Sequence, residues 1–183
     1  MGAEHPKRSV MNADDVSRSL TRIAHEIIER NQGIEGLVLL GIQTRGVPLA
    51  KRLADIISRA HDGAPIDWGS LDITMYRDDL ASQPTRAPQA SDVPGGSIDG
   101  RIVVLVDDVF YSGRTIRAAF EALGSYGRPS SVQLAVLVDR GHRRLPIRAD
   151  YVGKNLPTAL TERVTVSLAE IDGEDRVAIE VPA

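Results

Sequence analysis

Residues 103–115, V-V-L-V-D-D-V-F-Y-S-G-R-T, restrict the possible folds more than any other stretch of the chain. Four consecutive aliphatic residues predict a strand buried on both faces, the habit of a parallel sheet covered by helices. Two carboxylates, Asp107 and Asp108, stand where that strand is expected to end. A buried carboxylate is costly unless paired, hydrogen-bonded or near a ligand, and open parallel sheets bind ligands at the carboxyl ends of their strands. Ser112, Gly113, Arg114 and Thr115 then give a small, hydroxyl-rich turn ahead of a helical pattern. Free backbone N–H groups, hydroxyls, a positive helix end and a glycine that admits close approach suit such a turn to phosphate.

The same design recurs upstream. Residues 37–42 (L-V-L-L-G-I) read as a buried strand, followed by Thr44, Arg45 and Gly46 and a helix expected over residues 48–60. That turn is a second candidate anion site, although many strand-to-helix turns carry Thr and Gly for capping alone. A strand is also expected over residues 66–75, leading into Tyr76-Arg77-Asp78-Asp79, and another over 132–138. Short strands follow near 151–152, 164–168 and 177–181, while Gly127 and Pro129 are expected to end the helix after residue 115. Residues 78–101 hold several Pro and Gly with little periodicity, so they are expected to form a mobile functional loop or a disordered excursion, with Arg77 at its base. Alternating strands and helices imply an α/β fold with a mostly parallel, twisted sheet flanked by helices. The loops after Ile42, Val106 and Val138 converge on one pocket if their strands are neighbours.

The first helix, residues 12–31, buries Val16, Leu20, Ile23 and Ile27, with Gly33 available to end it. Its other side places Arg18, Thr21, Arg22 and His25 together. A second basic segment holds Arg140, His142, Arg143, Arg144, Arg148 and Lys154. Each is adequately explained alone as a solvated face. A net charge of −3 supplies no global field for nucleic acid, so any such site is a local patch and DNA is not an expected partner.

At 183 residues the chain suits one domain. With no cysteine it has no disulfide, thiolate metal site or cysteine nucleophile. No run approaches the roughly 18 apolar residues of a membrane span, and the first residues lack a signal-peptide core, so a cytoplasmic protein without a membrane partner is expected. Neither a G-x-x-x-x-G-K-[ST] loop nor G-x-G-x-x-G occurs, which leaves nucleoside triphosphate and dinucleotide readings without their fingerprints.

Residues 103–115 resemble the phosphoribosyl pyrophosphate signature of type I phosphoribosyltransferases, and G-I-Q-T-R-G at 41–46 resembles their pyrophosphate loop. The likeness extends to the bifunctional pyrimidine operon regulators with uracil phosphoribosyltransferase activity, the PyrR subfamily. It is carried by L-T-R-I-A-H-E-I-I-E-R-N at 20–31, L-D-I-T-M-Y-R-D-D-L at 71–80 and V-D-R-G-H-R-R-L-P-I-R-A-D-Y-V-G-K-N at 138–155. The resemblance implies a type I phosphoribosyltransferase fold over residues 1–183, with a small hood and a flexible active-site loop at 78–101. Helix 12–31 and residues 140–168 would contribute the hood and an RNA face.

It further implies conversion of uracil and phosphoribosyl pyrophosphate to UMP and pyrophosphate. Asp107 and Asp108 would take the ribose hydroxyls and help hold Mg²⁺, through water and the substrate. Val109, Tyr111, Ser112, Gly113, Arg114 and Thr115 would surround the 5′-phosphate. Thr44, Arg45 and Gly46 would bind pyrophosphate, and Arg77 would close over it. Purine enzymes of the superfamily usually carry a third Asp four positions after the first of the pair; Tyr111 stands there in this chain, against a purine substrate. Val138, Arg140, Gly141 and Val164 would surround uracil. Thr21, Arg22, His25, His142, Arg143, Arg148 and Lys154 would bind pyr operon messenger RNA in a UMP-dependent manner, acting on termination or translation, in a homo-oligomer. The alternative is a salvage enzyme whose basic faces are merely solvated.

Overall fold

The computed structural model describes residues 7–79 and 87–181. Its elements run β1 (Lys7–Met11), α1 (Ala13–Asn31), β2 (Leu37–Ile42), α2 (Gly46–Ala60), β3 (Asp67–Leu71), β4 (Ile102–Phe110), α3 (Arg114–Leu123) and β5 (Ser131–Asp139). There follow β6 (Tyr151–Asn155), β7 (Arg163–Ser167), α4 (Ala169–Asp172) and β8 (Arg176–Glu180). Five strands form a parallel sheet in the order β3-β2-β4-β5-β6, and β1-β8-β7 form a separate antiparallel sheet, the hood.

Period-two alternation decides which face each apolar residue covers. Leu37, Leu39, Val104, Val106, Ala135 and Leu137 pack beneath α1 and α2, whereas Val38, Leu40, Val103, Leu105, Leu134 and Val136 pack beneath α3. This is why strands 37–42 and 103–106 show no polar positions: both faces are covered. Val164, Val166, Leu168, Val177 and Ile179 of the hood share the cluster under α1 and α2, so the hood rests on the main core. Helix α1 opens with a reciprocal cap, in which the Asp15 amide donates to Asn12 Oδ1 (2.9 Å) and the Asn12 amide to Asp15 Oδ2 (3.0 Å). It closes through Gln32 in the left-handed region.

Four boundaries differ from the sequence expectations for local reasons. Helix α2 begins at Gly46, not at residue 48, because Pro48 is tolerated inside a first turn; the Thr44–Gly46 loop therefore runs directly into the helix. Strand β3 stops at Leu71 because Asp72 Oδ1 accepts from the Thr74 amide and hydroxyl (2.8 and 2.5 Å), turning the chain. Strand β4 continues four residues past Val106, with Asp107 opposite Val136 and Phe110 opposite Asp139. Helix α3 ends at Gly124, ahead of Gly127.

Two further expectations are corrected. The hood is built from strands near both ends of the chain, since β1 and β8 join β7, while residues 151–155 extend the main sheet as an edge strand. Within the segment 78–101, residues 80–86 lie outside the described residues, but the part after them is docked. Asp92 exchanges backbone hydrogen bonds with Ser70 (2.8 and 2.9 Å), and Ile98 is fully buried. Among the described residues, no helix is long and apolar enough to cross a membrane.

Candidate active site and basic face

Because β4 outruns β2 but stays paired with β5, Asp107 and Asp108 lie on the strand itself, in the part that runs past β2. Asp107 is buried and Asp108 partly so. The Asp108 amide donates to Asp107 Oδ1 (2.9 Å) and the Val109 amide to Asp108 Oδ1 (2.8 Å), which fixes both carboxylates. Burial, and then the neighbouring Asp108 charge, push the Asp107 carboxyl well above the ordinary carboxylate range. Such a group calls for donors or a cation from a ligand.

Asp107 opens onto a cavity of about 290 Å³, lined also by Arg77, Asp78, Asp79, Val109 and residues 110–116. Gly113 stands at φ +94°, a conformation that only glycine adopts without strain, and it lets the chain turn from β4 into α3. The first turn of α3, whose Arg114 amide donates to Ser112 Oγ (3.4 Å), thus presents its positive end to the cavity. Arg77 reaches the same space, held side-on by Asp79 (Nε–Oδ1 2.8 Å, Nη2–Oδ2 2.6 Å). The expected phosphate loop and Arg77 are therefore brought together.

Thr44–Gly46 approaches from β2. A Cβ on Gly46 would lie 2.3 Å from the Val106 carbonyl oxygen, and one on Gly41 would lie 2.4 Å from the Gly46 carbonyl oxygen. Glycine at both positions lets this loop press against the end of β4, immediately before Asp107. The Gln43–Thr44 peptide is cis. Arg45 pairs with Asp172 of α4 (Nη2–Oδ1 2.8 Å), an acid that carried no sequence signal.

Of the base-site candidates, Val138 is fully buried at the end of β5, and Val164 is buried in the hood strand β7. Gly141 donates its amide to Asp139 Oδ1 (2.9 Å). Arg140 differs from the expected role of reading the base. It is 7% exposed, its Nε donates to Thr158 Oγ1 (3.1 Å), and one Nη donates to the carbonyls of Ala159 and Glu162 (3.2 and 2.8 Å). Its guanidinium lies 4.2 Å from the Tyr111 ring centroid. Arg140 is thus a strut between the phosphate loop and residues 158–162, and its amide donates to Phe110 O (3.1 Å).

The RNA candidates divide. Arg22 Nη2 donates to the carbonyls of Val152 and Gly153 (3.1 and 2.6 Å), stapling α1 to β6, while Nη1 pairs with Glu26 (2.9 Å). This staple brings Lys154 into one recess with Arg18, Ser19 and Arg22. Arg143 and Arg148 line another recess, and residues of the edge strand β6 contribute to both. Thr21 and His25 are exposed on α1. His142 stands apart: its Nε2 lies 2.6 Å from Thr158 O, and its ring meets Tyr111 edge-on at 6.2 Å, so it packs toward the active site. Sequence reasoning missed this because basic spacing says nothing of where a loop turns, and His142 sits at φ +63° in such a turn. Asp78 and Asp79, whose acidity was visible but unassigned, also line the cavity.

Comparison with known proteins accounts for this geometry. Residues 10–168 match the family model of the phosphoribosyl transferase domain. The Bifunctional protein PyrR of Leifsonia xyli is 63% identical, with 94% of this chain and 96% of the relative covered. That of Streptomyces coelicolor is 63% identical, covering 94% and 89%. Among solved structures, a hypoxanthine phosphoribosyl transferase of Trypanosoma cruzi superposes with a TM-score of 0.71 at 21% identity, covering 100% of this chain and 94% of that one. A hypoxanthine-guanine phosphoribosyltransferase of Bacillus anthracis gives 0.71 at 18% identity, covering 97% and 99%. Those two likenesses concern the fold alone. The family model over residues 10–168 and relatives 63% identical along nearly their whole length place the chain in the phosphoribosyltransferase family, within its group of bifunctional PyrR proteins.

Proposed function

We propose that the chain forms UMP and pyrophosphate from uracil and phosphoribosyl pyrophosphate, and that in its UMP-bound form it binds pyr operon messenger RNA to control expression. The observation that carries the reading is the cavity in which Asp107, Arg77 and the first turn of α3 converge. The 5′-phosphate fits that turn, where amides and the helix dipole favour an anion. Ribose hydroxyls donate to Asp107 and Asp108, which gives a buried, electrostatically unfavourable carboxylate donors beyond the Asp108 amide. Pyrophosphate lies between Thr44–Gly46 and Arg77.

Two hard carboxylate oxygen donors suit Mg²⁺. Among the described residues no three acidic or imidazole groups gather for a metal, so Asp107 and Asp108 would hold it together with water and substrate oxygens. When bound, Mg²⁺ neutralises the pyrophosphate as charge develops on it. In the transfer, the C1–O bond to pyrophosphate breaks with its electron pair leaving on oxygen. A bond from uracil N1 to C1 forms, and the N1 proton passes to the departing pyrophosphate or to water. The protein's part is to hold sugar and base in line, to stabilise the leaving group through Arg45 and Arg77, and to exclude water beneath the hood.

Tyr111, with Arg140 over its ring and His142 edge-on to it, stands where purine enzymes of the superfamily usually carry a third Asp, which supports a pyrimidine over a purine. The RNA half is supported by the two basic recesses that flank β6 on a chain of net charge −3. A cytoplasmic setting and a homo-oligomer fit this role. Filter binding of pyr leader RNA with and without UMP tests the regulatory half. RNA retained more tightly with UMP is the expected result; RNA binding indifferent to UMP, or none, leaves a salvage enzyme.

A further inference from the structure

Two arginines of α2 meet three carboxylates of the hood. Arg45, at the N-cap, and Arg52, about two turns later on the same side, both reach the α4 region. Arg52 donates to both oxygens of Glu170 (2.7 and 2.6 Å) and to both of Asp175 (2.7 and 2.8 Å). Asp175 Oδ1 also accepts the Ala169 amide (2.8 Å), and Asp172 Oδ2 the Leu168 amide (2.9 Å). The α4 segment is thereby fixed to α2 without help from Arg45. Arg45 nevertheless gives Asp172 its Nε and Nη2 (3.3 and 2.8 Å), with a third of its side chain exposed (34%). This pair is additional to the contacts that hold α4, and it occupies the planar fork that suits phosphate as well as carboxylate.

We propose that Asp172 is an internal competitor for the pyrophosphate group, and so a residue that sets the balance between pyrophosphate-bearing and monophosphate ligands. The proposal rests on reading residues 44–46 as the pyrophosphate loop. Phosphoribosyl pyrophosphate and free pyrophosphate must take the fork of Arg45 from Asp172. UMP, whose single phosphate occupies the first turn of α3, leaves the pair intact. Two consequences follow. Asp172 limits the affinity for the product pyrophosphate and recaptures Arg45 as that product leaves. The link between the pyrophosphate loop and the α4 segment also differs between the substrate-bound and UMP-bound forms, so one contact distinguishes the catalytic ligand from the regulatory one.

Calorimetric titration of the full chain with inorganic pyrophosphate plus Mg²⁺, and separately with UMP, tests this. The chains compared are the parent, Asp172→Asn, Asp172→Ser, Arg45→Ala and the double variant Arg45→Ala/Asp172→Asn. Loss of a partly exposed pair predicts pyrophosphate binding about three- to fivefold tighter in both Asp172 variants, with UMP affinity unchanged. The double variant should show no such gain over Arg45→Ala. Pyrophosphate affinity unchanged or weakened in both Asp172 variants overturns the proposal. Pyrophosphate and UMP affinities falling together also overturn it, since Asp172 would then be a structural support. An Arg45→Ala chain that binds pyrophosphate as well as the parent refutes instead the assignment of residues 44–46.

Discussion

Replacing Gly46 by Ala should cripple turnover far more than it unfolds the protein. The added Cβ would sit 2.3 Å from the Val106 carbonyl oxygen, where ordinary contact begins at 3.4 Å, so about 1.1 Å of separation must be found. Neither neighbour is a flexible side chain. Gly46 is the first residue of α2, and Val106 directly precedes the carboxylate pair, so the movement enters both the pyrophosphate loop and Asp107. Overpacking of this kind costs about 1–3 kcal/mol, several degrees in melting temperature for a chain of this size. A displacement of about 1 Å in positioning groups costs on the order of 10²-fold in rate, so the catalytic loss dominates. Labelled uracil conversion as a function of phosphoribosyl pyrophosphate, alongside thermal melts, measures both. A folded Gly46→Ala chain with kcat/KM for phosphoribosyl pyrophosphate within twofold of the parent would refute the close-packed loop as a positioning device.

Asp107→Asn should lose about 10- to 100-fold in kcat/KM for phosphoribosyl pyrophosphate, the worth of one or two charge-assisted hydrogen bonds, yet melt higher than the parent at pH 7 without ligand. The sign follows from the raised carboxyl: it favours the fold while protonated, and that contribution is lost as pH rises through its folded value, so the advantage of Asn should vanish near pH 3 in melts across pH. Lys154→Ala should weaken UMP-dependent RNA binding and reduce the slope of affinity against salt by about one unit, whereas His142→Ala should leave that slope unchanged and weaken UMP instead. Filter binding at several salt concentrations separates the two, and equal slope changes would contradict the packing of His142 toward Tyr111.

What could be read from the sequence was local. The runs at 37–42 and 103–106 announced buried strands because both sheet faces are covered, and the glycine and hydroxyls of residues 112–115 announced the turn into a helix that lines the cavity. Hidden features depend on partners distant in the chain. Strand β1 has no apolar alternation of its own and exists through pairing with β8 (Lys7 opposite Glu180). Asp172 reads as an ordinary surface acid until α4 is laid beside Arg45. Arg140 and Arg22 looked like ligand-binding cations, and only the fold shows their donors turned to backbone carbonyls. Cationic side chains on loops and helix faces are ambiguous in this way, because a guanidinium serves a carbonyl cluster as readily as a phosphate.

Parallel incubation of the chain with phosphoribosyl pyrophosphate, Mg²⁺ and either labelled uracil or labelled hypoxanthine tests the central claim most directly. UMP with one pyrophosphate released per UMP is expected, and no nucleotide from hypoxanthine, because Tyr111 stands at the position where purine enzymes of the superfamily usually carry a third Asp. Formation of the hypoxanthine nucleotide, or uracil left unconverted, would contradict it.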